Sequence, residues 1–347
     1  MNNLSKTLKA RLLHACGASD ANEAEEIQSL WSGYGKVARY RLSDAKVPSV
    51  VIKHVQLPEQ RQHPRGWNSE FAHQRKLDSY KIETYWYQHY AKQCNQHCRV
   101  AKSYLLEAGE QTFFMAFEDL DASGFNQRKQ HATLEEMQNC LSWLAHFHAI
   151  FIGQQPKGLW QQGTYWHLQT RPDEFKALPD SPLKQAAPLI DKTLANCRYT
   201  TLIHGDAKLA NFCFAPELNA IDNEISNNRM STHEVSRVAA VDFQYVGGGC
   251  GMKDVALFIS SCLNAEACAQ HETVLLNHYF ATLRSAIISY GKNIPLDELE
   301  QEWRDMYAFA WADFYRFLKG WCPDHWKVHA YSEQLTLQTL ATFIAPR

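Results

Sequence analysis

Nowhere in its 347 residues does the chain hold an apolar run near the ~18–20 residues a membrane span needs. The best run, Val255-Ala256-Leu257-Phe258-Ile259, ends at the polar Ser260. Lys6, Lys9 and Arg11 stand near the start, but Leu12-Leu13-His14-Ala15 is too short for the apolar core of a signal sequence. Excess charge is missing too. Lys+Arg 35 against Asp+Glu 37 gives a net charge of -2, no field to gather a polyanion, so nucleic-acid binding is not expected. Ten cysteines show no regular spacing, which excludes a disulfide framework. The closest pairs, Cys94 with Cys98 and Cys262 with Cys268, are not C-x-x-C, and Cys94, His97 and Cys98 lack a second ligand pair at zinc-finger spacing. Thiols in a reducing cytoplasm fit best, and a cytoplasmic location is expected. There are no internal repeats and no long charge runs.

What is present is a globular composition, 45% hydrophobic and 21% charged, enough for one large or two modest domains. A short amphipathic helix is expected over 4–15, then strands over 27–31, 36–42 and 50–55, joined by turns at Ser32-Gly33-Tyr34-Gly35 and Ser43-Asp44-Ala45-Lys46. Successive hairpins make this sheet antiparallel. A polar loop over 56–66 leads to a long helix ending near Tyr90, and strands follow over 100–107 and 112–117. Beyond Asp119 the pattern turns helical, over 134–152, from 255 onward, and over 274–290, 296–318 and 332–344. Short strands interrupt it at 202–203, 212–214 and 238–243, with a polar surface loop over 215–236. The fold class is α+β: a five-stranded antiparallel sheet with one inserted helix over 1–118, and a larger, mostly helical part over 119–347.

Two motifs carry chemistry. His204-Gly205-Asp206-Ala207-Lys208-Leu209-Ala210-Asn211 lies on a tight loop between apolar strands, and Val241-Asp242-Phe243-Gln244 again ends an apolar strand in an acid. Two carboxylates and an amide at strand ends suit phosphoryl transfer. One acid takes the proton of an attacking hydroxyl, while the amide and the other acid hold Mg²⁺, which favours hard oxygen ligands.

In this order, H-G-D-x-x-x-x-N followed by D-F-Q resembles the kinase-like small-molecule phosphotransferases, which include aminoglycoside phosphotransferases and choline kinases. The D-F-Q-Y form, with Gly247-Gly248-Gly249 and Asp254-Val255-Ala256 after it, is most similar to the ecdysteroid-kinase-like branch. The resemblance runs from Gly33 to the helices past Asp254 and implies a protein-kinase-like bilobal fold with ATP in the cleft. It implies that Asp206 is the catalytic base and that Asn211 and Asp242 are the Mg²⁺ ligands. Lys208 departs from the branch, many of whose members carry Trp there, and stands where protein kinases use a lysine to touch the γ-phosphate, so it is expected to stabilise the transferring group. Lys53 stands where the family's lysine binds the α- and β-phosphates. Glu83, in Glu83-Thr84-Tyr85-Trp86-Tyr87, is its expected ion-pair partner. Phe117-Glu118-Asp119-Leu120 resembles the hinge whose backbone meets adenine, and Gly33 and Gly35 the loop over the phosphates. His204 and Asp254 are expected to support the catalytic loop.

Other uses of these residues stay open. Gly33 and Gly35 serve equally in a plain hairpin turn, Lys208 as a surface lysine, and Glu83 on a solvated helix face. Phe243-Gln244 stands where aminoglycoside kinases usually carry Gly-Arg, which counts against an antibiotic acceptor. The stripe Trp303, Tyr307, Trp311, Tyr315 reads first as core and otherwise as a wall for a flat hydrophobic or cationic acceptor; Asp305 and Asp313 beside it read first as a solvated face and otherwise as binding an amine. Trp160, Tyr165, Trp166 and His167 form a second aromatic cluster suited to closing over an acceptor. The expected partner is a small molecule with a hydroxyl group, bulky and hydrophobic if those aromatics form its wall; no nucleic-acid or membrane partner is expected. The rival readings are a nucleotide-binding protein without activity and a protein kinase. Against the latter, A-P-E is missing and the span from Gly247 to Gly251 is too short for an activation segment.

Overall fold

In the computed structural model, which describes residues 4–30, 33–56, 70–216 and 236–344, the alternating stretches form strands and the 3.6-periodic stretches form helices. The chain divides into two compact units. One comprises Met1–Lys92, Val100–Gln127 and Cys213–Ser231; the other comprises Gln93–Arg99, Arg128–Phe212 and Thr232–Arg347.

The chain starts with α1 (Lys6–Cys16), β1 (Asp20–Ser29), β2 (Gly35–Ser43), β3 (Ser49–Gln56) and α2 (Glu70–His89), then β4 (Arg99–Val100), β5 (Ser103–Ala108) and β6 (Thr112–Glu118). Five of these strands form the expected antiparallel sheet, in the order β1-β2-β3-β6-β5. The period of two along a strand divides its residues between two faces. Val50, Ile52, Phe114 and Ala116 pack with Leu12 of α1 and with Ala21, Ala38 and Tyr40. On the opposite face, Phe113, Met115 and Phe117 meet Tyr80, Thr84 and Tyr87 of α2. Lys53 shares that second face, and so points at α2.

The elements that follow are α3 (Leu134–Phe151), α4 (Pro172–Ala177), α5 (Pro182–Ala195), β7 (Thr201–Ile203), β8 (Phe212–Phe214), β9 (Val238–Ala240), β10 (Gly247–Gly249), α6 (Met252–Cys262), α7 (Ala265–Ser289), α8 (Leu296–Trp321) and α9 (Ala330–Ile344). Thr133 and Glu136 close a capping box that starts α3. The α8 stripe is core: Trp303, Tyr307, Trp311 and Tyr315 are all buried, and Trp303 Nε1 donates to the Tyr199 carbonyl. Asp313 departs from the expected solvated face. It is buried, receives Trp166 Nε1 at 3.0 Å and pairs with Arg316 at 2.8 Å.

Several boundaries also differ. The strand expected over 27–31 begins already at Asp20, because β1 is an edge strand whose polar run leaves almost no buried face to read. The strand expected over 100–107 is broken into β4 and β5. The helix expected over 274–290 starts at Ala265, behind an Asn264 cap whose side chain accepts from Ala267 N. Gln56 closes β3; the rest of the loop expected over 56–66 and most of that over 215–236 lie outside the described residues. All ten cysteines are free thiols. Among the described residues, no helix is long and apolar enough to cross a membrane.

Candidate active site

In the first unit, Lys53 and Glu83 are brought together. Lys53 Nζ lies 2.6 Å from Glu83 Oε2, with the residues only 7% and 2% exposed. A solvated helix face is therefore ruled out for Glu83. Gly33 and Gly35, both at positive φ, form the turn before β2, where Leu30 N donates to the Gly35 carbonyl. Phe117, at the end of β6, stacks against Tyr87 at 4.4 Å. The Glu118 N–H donates to the Lys102 carbonyl, and its carboxylate accepts from Lys102 N and Ser123 Oγ. That N–H is thus engaged by a carbonyl in the connection between β4 and β5.

In the second unit, the loop after β7 is held from beneath by Asp254, in the first turn of α6. Asp254 Oδ2 accepts from His204 N at 2.6 Å and Oδ1 from Gly205 N at 2.9 Å, while His148 Nε2 lies 3.1 Å from Oδ2. His204 is fully buried between the rings of Trp143 and Phe243. Its Nε2 is 3.0 Å from the Val241 carbonyl, and its Nδ1 accepts from Asp206 N. These partners require the proton on Nε2. His204 thus ties the Asp206 loop to the residue before Asp242, and Val241 N adds a bond to the Asn211 carbonyl.

Gly205 is dictated by space. Its φ is +78°, and a Cβ there would lie 2.1 Å from the Tyr245 carbonyl oxygen and 2.9 Å from Thr164 N. Only glycine fits this approach. Asp242 takes a φ of 70°, a left-handed conformation rare outside glycine and tolerated best by Asn and Asp.

Asp206 is 6% exposed. Its Oδ2 accepts from Lys208 Nζ at 2.9 Å and Asn211 Nδ2 at 3.1 Å. Its Oδ1 is buried and has no hydrogen-bond partner among the described residues. Burial pushes the Asp206 carboxyl above the ordinary carboxylate range; the Lys208 ammonium pulls it back, and the nearby Asp242 carboxylate raises it further. For Lys208, burial works against the charge, but Asp206 outweighs it and the ammonium is held above the usual lysine range. Lys208 itself remains 41% exposed. Two neighbouring carboxylates, one with an unsatisfied oxygen, plus an adjacent amide, suit a hard divalent cation and a hydroxyl donor.

The sequence model of the ecdysteroid kinase-like family matches residues 68–155 and 157–291. The chain belongs to this family. That ecdysteroid kinase-like match takes in Glu83, the loop from His204 to Asn211, Asp242 and Asp254, and begins after Gly33, Gly35 and Lys53. No curated protein matches the sequence. Among solved structures, an amicoumacin kinase in complex with AMP-PNP, Ca2+ and Ami aligns at 14% identity over 97% of this chain and 95% of that one, with a TM-score of 0.49. A choline kinase from Cryptosporidium parvum Iowa II aligns at 9% identity over 92% and 89%, with a TM-score of 0.48. A putative fructosamine-3-kinase from Haemophilus somnus 129PT aligns at 12% identity over 97% of each chain, with a TM-score of 0.47.

Several contacts of this ecdysteroid kinase-like site were not legible in the sequence. His148 is one of two histidines on α3 and bears on Asp254. Ser261 Oγ, on α6, accepts from Leu209 N at 2.8 Å. The Tyr165 N–H donates to the Gly205 carbonyl, so the aromatic cluster near Trp160 abuts the loop, while Trp160 Nε1 donates to the Gln244 carbonyl. No spacing marks these contacts, since each joins residues far apart in the chain.

Proposed function

We propose that the protein is an ATP- and Mg²⁺-dependent kinase that moves the γ-phosphoryl group of ATP to a hydroxyl of a small molecule. The observation that carries this reading is the buried Asp206 carboxylate, satisfied on one oxygen and open on the other, in a loop whose backbone is fixed by Asp254.

Asp206 Oδ1 accepts the proton of the acceptor hydroxyl as the acceptor oxygen bonds to the γ-phosphorus. The bond from that phosphorus to the bridging oxygen breaks, ADP leaves with the electron pair, and the proton passes from Asp206 to solvent. Lys208, tethered to Asp206, places its charge on the oxygens of the group in transfer. Asn211 and Asp242 would hold Mg²⁺, which neutralises charge developing on the phosphates. In the first unit, Lys53, set by Glu83, binds the α- and β-phosphates. The left-handed turn at Asp242 and the bonds of His204 fix the acidic groups before substrate arrives, so little reorganisation is left for the reaction.

The test is ADP release measured over a panel of alcohols, with mass spectrometry of the product and a peptide library alongside. The reading predicts a phosphorylated alcohol whose formation needs both ATP and Mg²⁺. Nucleotide binding without turnover of any alcohol would instead support an inactive binding protein, and turnover confined to peptides would support a protein kinase.

A further inference from the structure

Among the described residues, five lysines and arginines are buried: Lys53, Arg171, Lys253, Arg316 and Lys327. Four face a carboxylate, in the pairs Lys53–Glu83, Arg171–Glu174, Lys253–Asp313 and Arg316–Asp313, at 2.6, 3.1, 3.7 and 2.8 Å. Lys327, 9% exposed, does not. Its Nζ has no hydrogen bond or ion pair to any described residue and lies between two rings, 5.4 Å from the centroid of Phe314 and 5.5 Å from that of Trp326. A lysine buried to this extent with no carboxylate facing it is uncommon, since taking an ammonium out of water without an anion is costly.

Lys327 also belongs to the neighbourhood of the catalytic loop. Phe314 packs with Trp166, Leu257, Phe317 and Leu318, and Tyr165 packs against the same cluster. Tyr165 N holds the Gly205 carbonyl, next to Asp206. The charged and titratable groups within electrostatic reach of the Lys327 ammonium are Asp206 and Lys208 of that loop, Cys262 of α6 and His325 of its own segment. Burial pushes the ammonium down to about 8, with Lys208 adding to the fall and Asp206 and Cys262 opposing it.

We infer that Lys327 binds an oxyanion on the acceptor, so that the molecule phosphorylated is an apolar or aromatic alcohol that also carries a carboxylate or a similar anion. The inference rests on the phosphotransfer reading above and narrows it. Four aromatic faces here already have the protein's own cations on them: Lys327 on Phe314 and Trp326, and Arg171 on Tyr165 and Phe317 at 5.9 and 5.4 Å. A cationic acceptor approaching these rings meets the fixed positive charge of Lys327. A carboxylate finds the missing partner of a buried ammonium and apolar surface for its body.

The experiment has two arms, both on the full chain with Mg²⁺ and ADP or ATP present. In the first, Lys327 is footprinted by acylation and mass spectrometry, with benzoate or benzyltrimethylammonium as the probe. Benzoate is expected to protect Lys327 and the cation to leave it reactive; equal protection, or none from benzoate, overturns the inference. In the second, benzyl-type alcohols on one skeleton, bearing a carboxylate, a carboxamide or an aminomethyl group, compete as acceptors in wild type and in the K327M and K327Q variants. The carboxylate is expected to be preferred in wild type. Either variant should lower the ratio of kcat/KM for acid over amide by about 10- to 100-fold, mostly through KM, the range for loss of a charged hydrogen bond. Preference for the amine, or a fall in ADP affinity without a change in that ratio, would show that Lys327 does not read the acceptor. If D206N turns over the same alcohols at close to the wild-type rate, the phosphotransfer reading itself has failed, whatever Lys327 binds.

Discussion

The lysine–carboxylate pair of the first unit and that of the second differ in what surrounds them. Lys53 and Glu83 are both buried, 2.6 Å apart, on the face of a sheet covered by a long helix. Lys208 and Asp206 are 2.9 Å apart, but the lysine is partly exposed and the carboxylate keeps a buried oxygen unbonded. Asp254, just below, has both its oxygens engaged by backbone N–H groups and by His148. A carboxylate whose oxygens are all engaged fixes structure. One held firmly on a single oxygen is positioned and still has an oxygen left to take a proton.

That difference predicts unequal costs of breaking each pair. E83A should destabilise the protein by about 3–5 kcal/mol, because it removes the carboxylate facing a buried ammonium. Chemical denaturation checks this, and a loss below about 1 kcal/mol would mean that the pair is not the closed unit described here. G205A comes next, at about 2–4 kcal/mol, from a left-handed φ combined with a Cβ pressed into the Tyr245 carbonyl. The same denaturation series measures it.

The smaller effects concern titration. The native Asp206 carboxyl is raised above its unfolded value, so between the two values the native state binds more protons than the unfolded one. Stability therefore falls as pH rises through that window, and above the native value the cost is complete. As pH falls through the native value, turnover should drop at a pH above the ordinary carboxylate range, because the base becomes protonated. D242N removes a charge that contributes to the shift, and should lower the Asp206 value in a carboxyl-carbon NMR titration of the metal-free protein. An unchanged value would mean that the two acids do not interact. Smallest of all, K208M should change stability by no more than about 1 kcal/mol, as expected for a partly exposed pair, while lowering kcat.

Much of this was legible in the chain itself. The apolar, β-branched run Val50-Val51-Ile52 put Lys53 on a strand, and the motif from His204 to Asn211 marked a polar loop between apolar strands. β10 was not, because Gly247-Gly248-Gly249 has no side chains to alternate. These glycines pair with β7 and run against the backbone near Trp160, where a Cβ on Gly247 would lie 2.3 Å from the Trp160 carbonyl oxygen. α4 and α5 were missed because they are short, or carry Pro182 and Pro188 in a segment that reads as loop. Lys327 gave no signal either, since its segment between α8 and α9 has no period and its burial comes from residues distant in the chain.

The central claim is that the open oxygen of Asp206 takes the acceptor's proton during phosphoryl transfer. Its most direct test follows label from γ-phosphate-labelled ATP into an acceptor, in wild type and D206N, at matched occupancy by Mg²⁺-nucleotide. The account predicts label in the wild-type product and a rate lower by ~10²–10⁴ in D206N, the range for loss of a general base, with nucleotide affinity nearly unchanged. Transfer by D206N at close to the wild-type rate would contradict it.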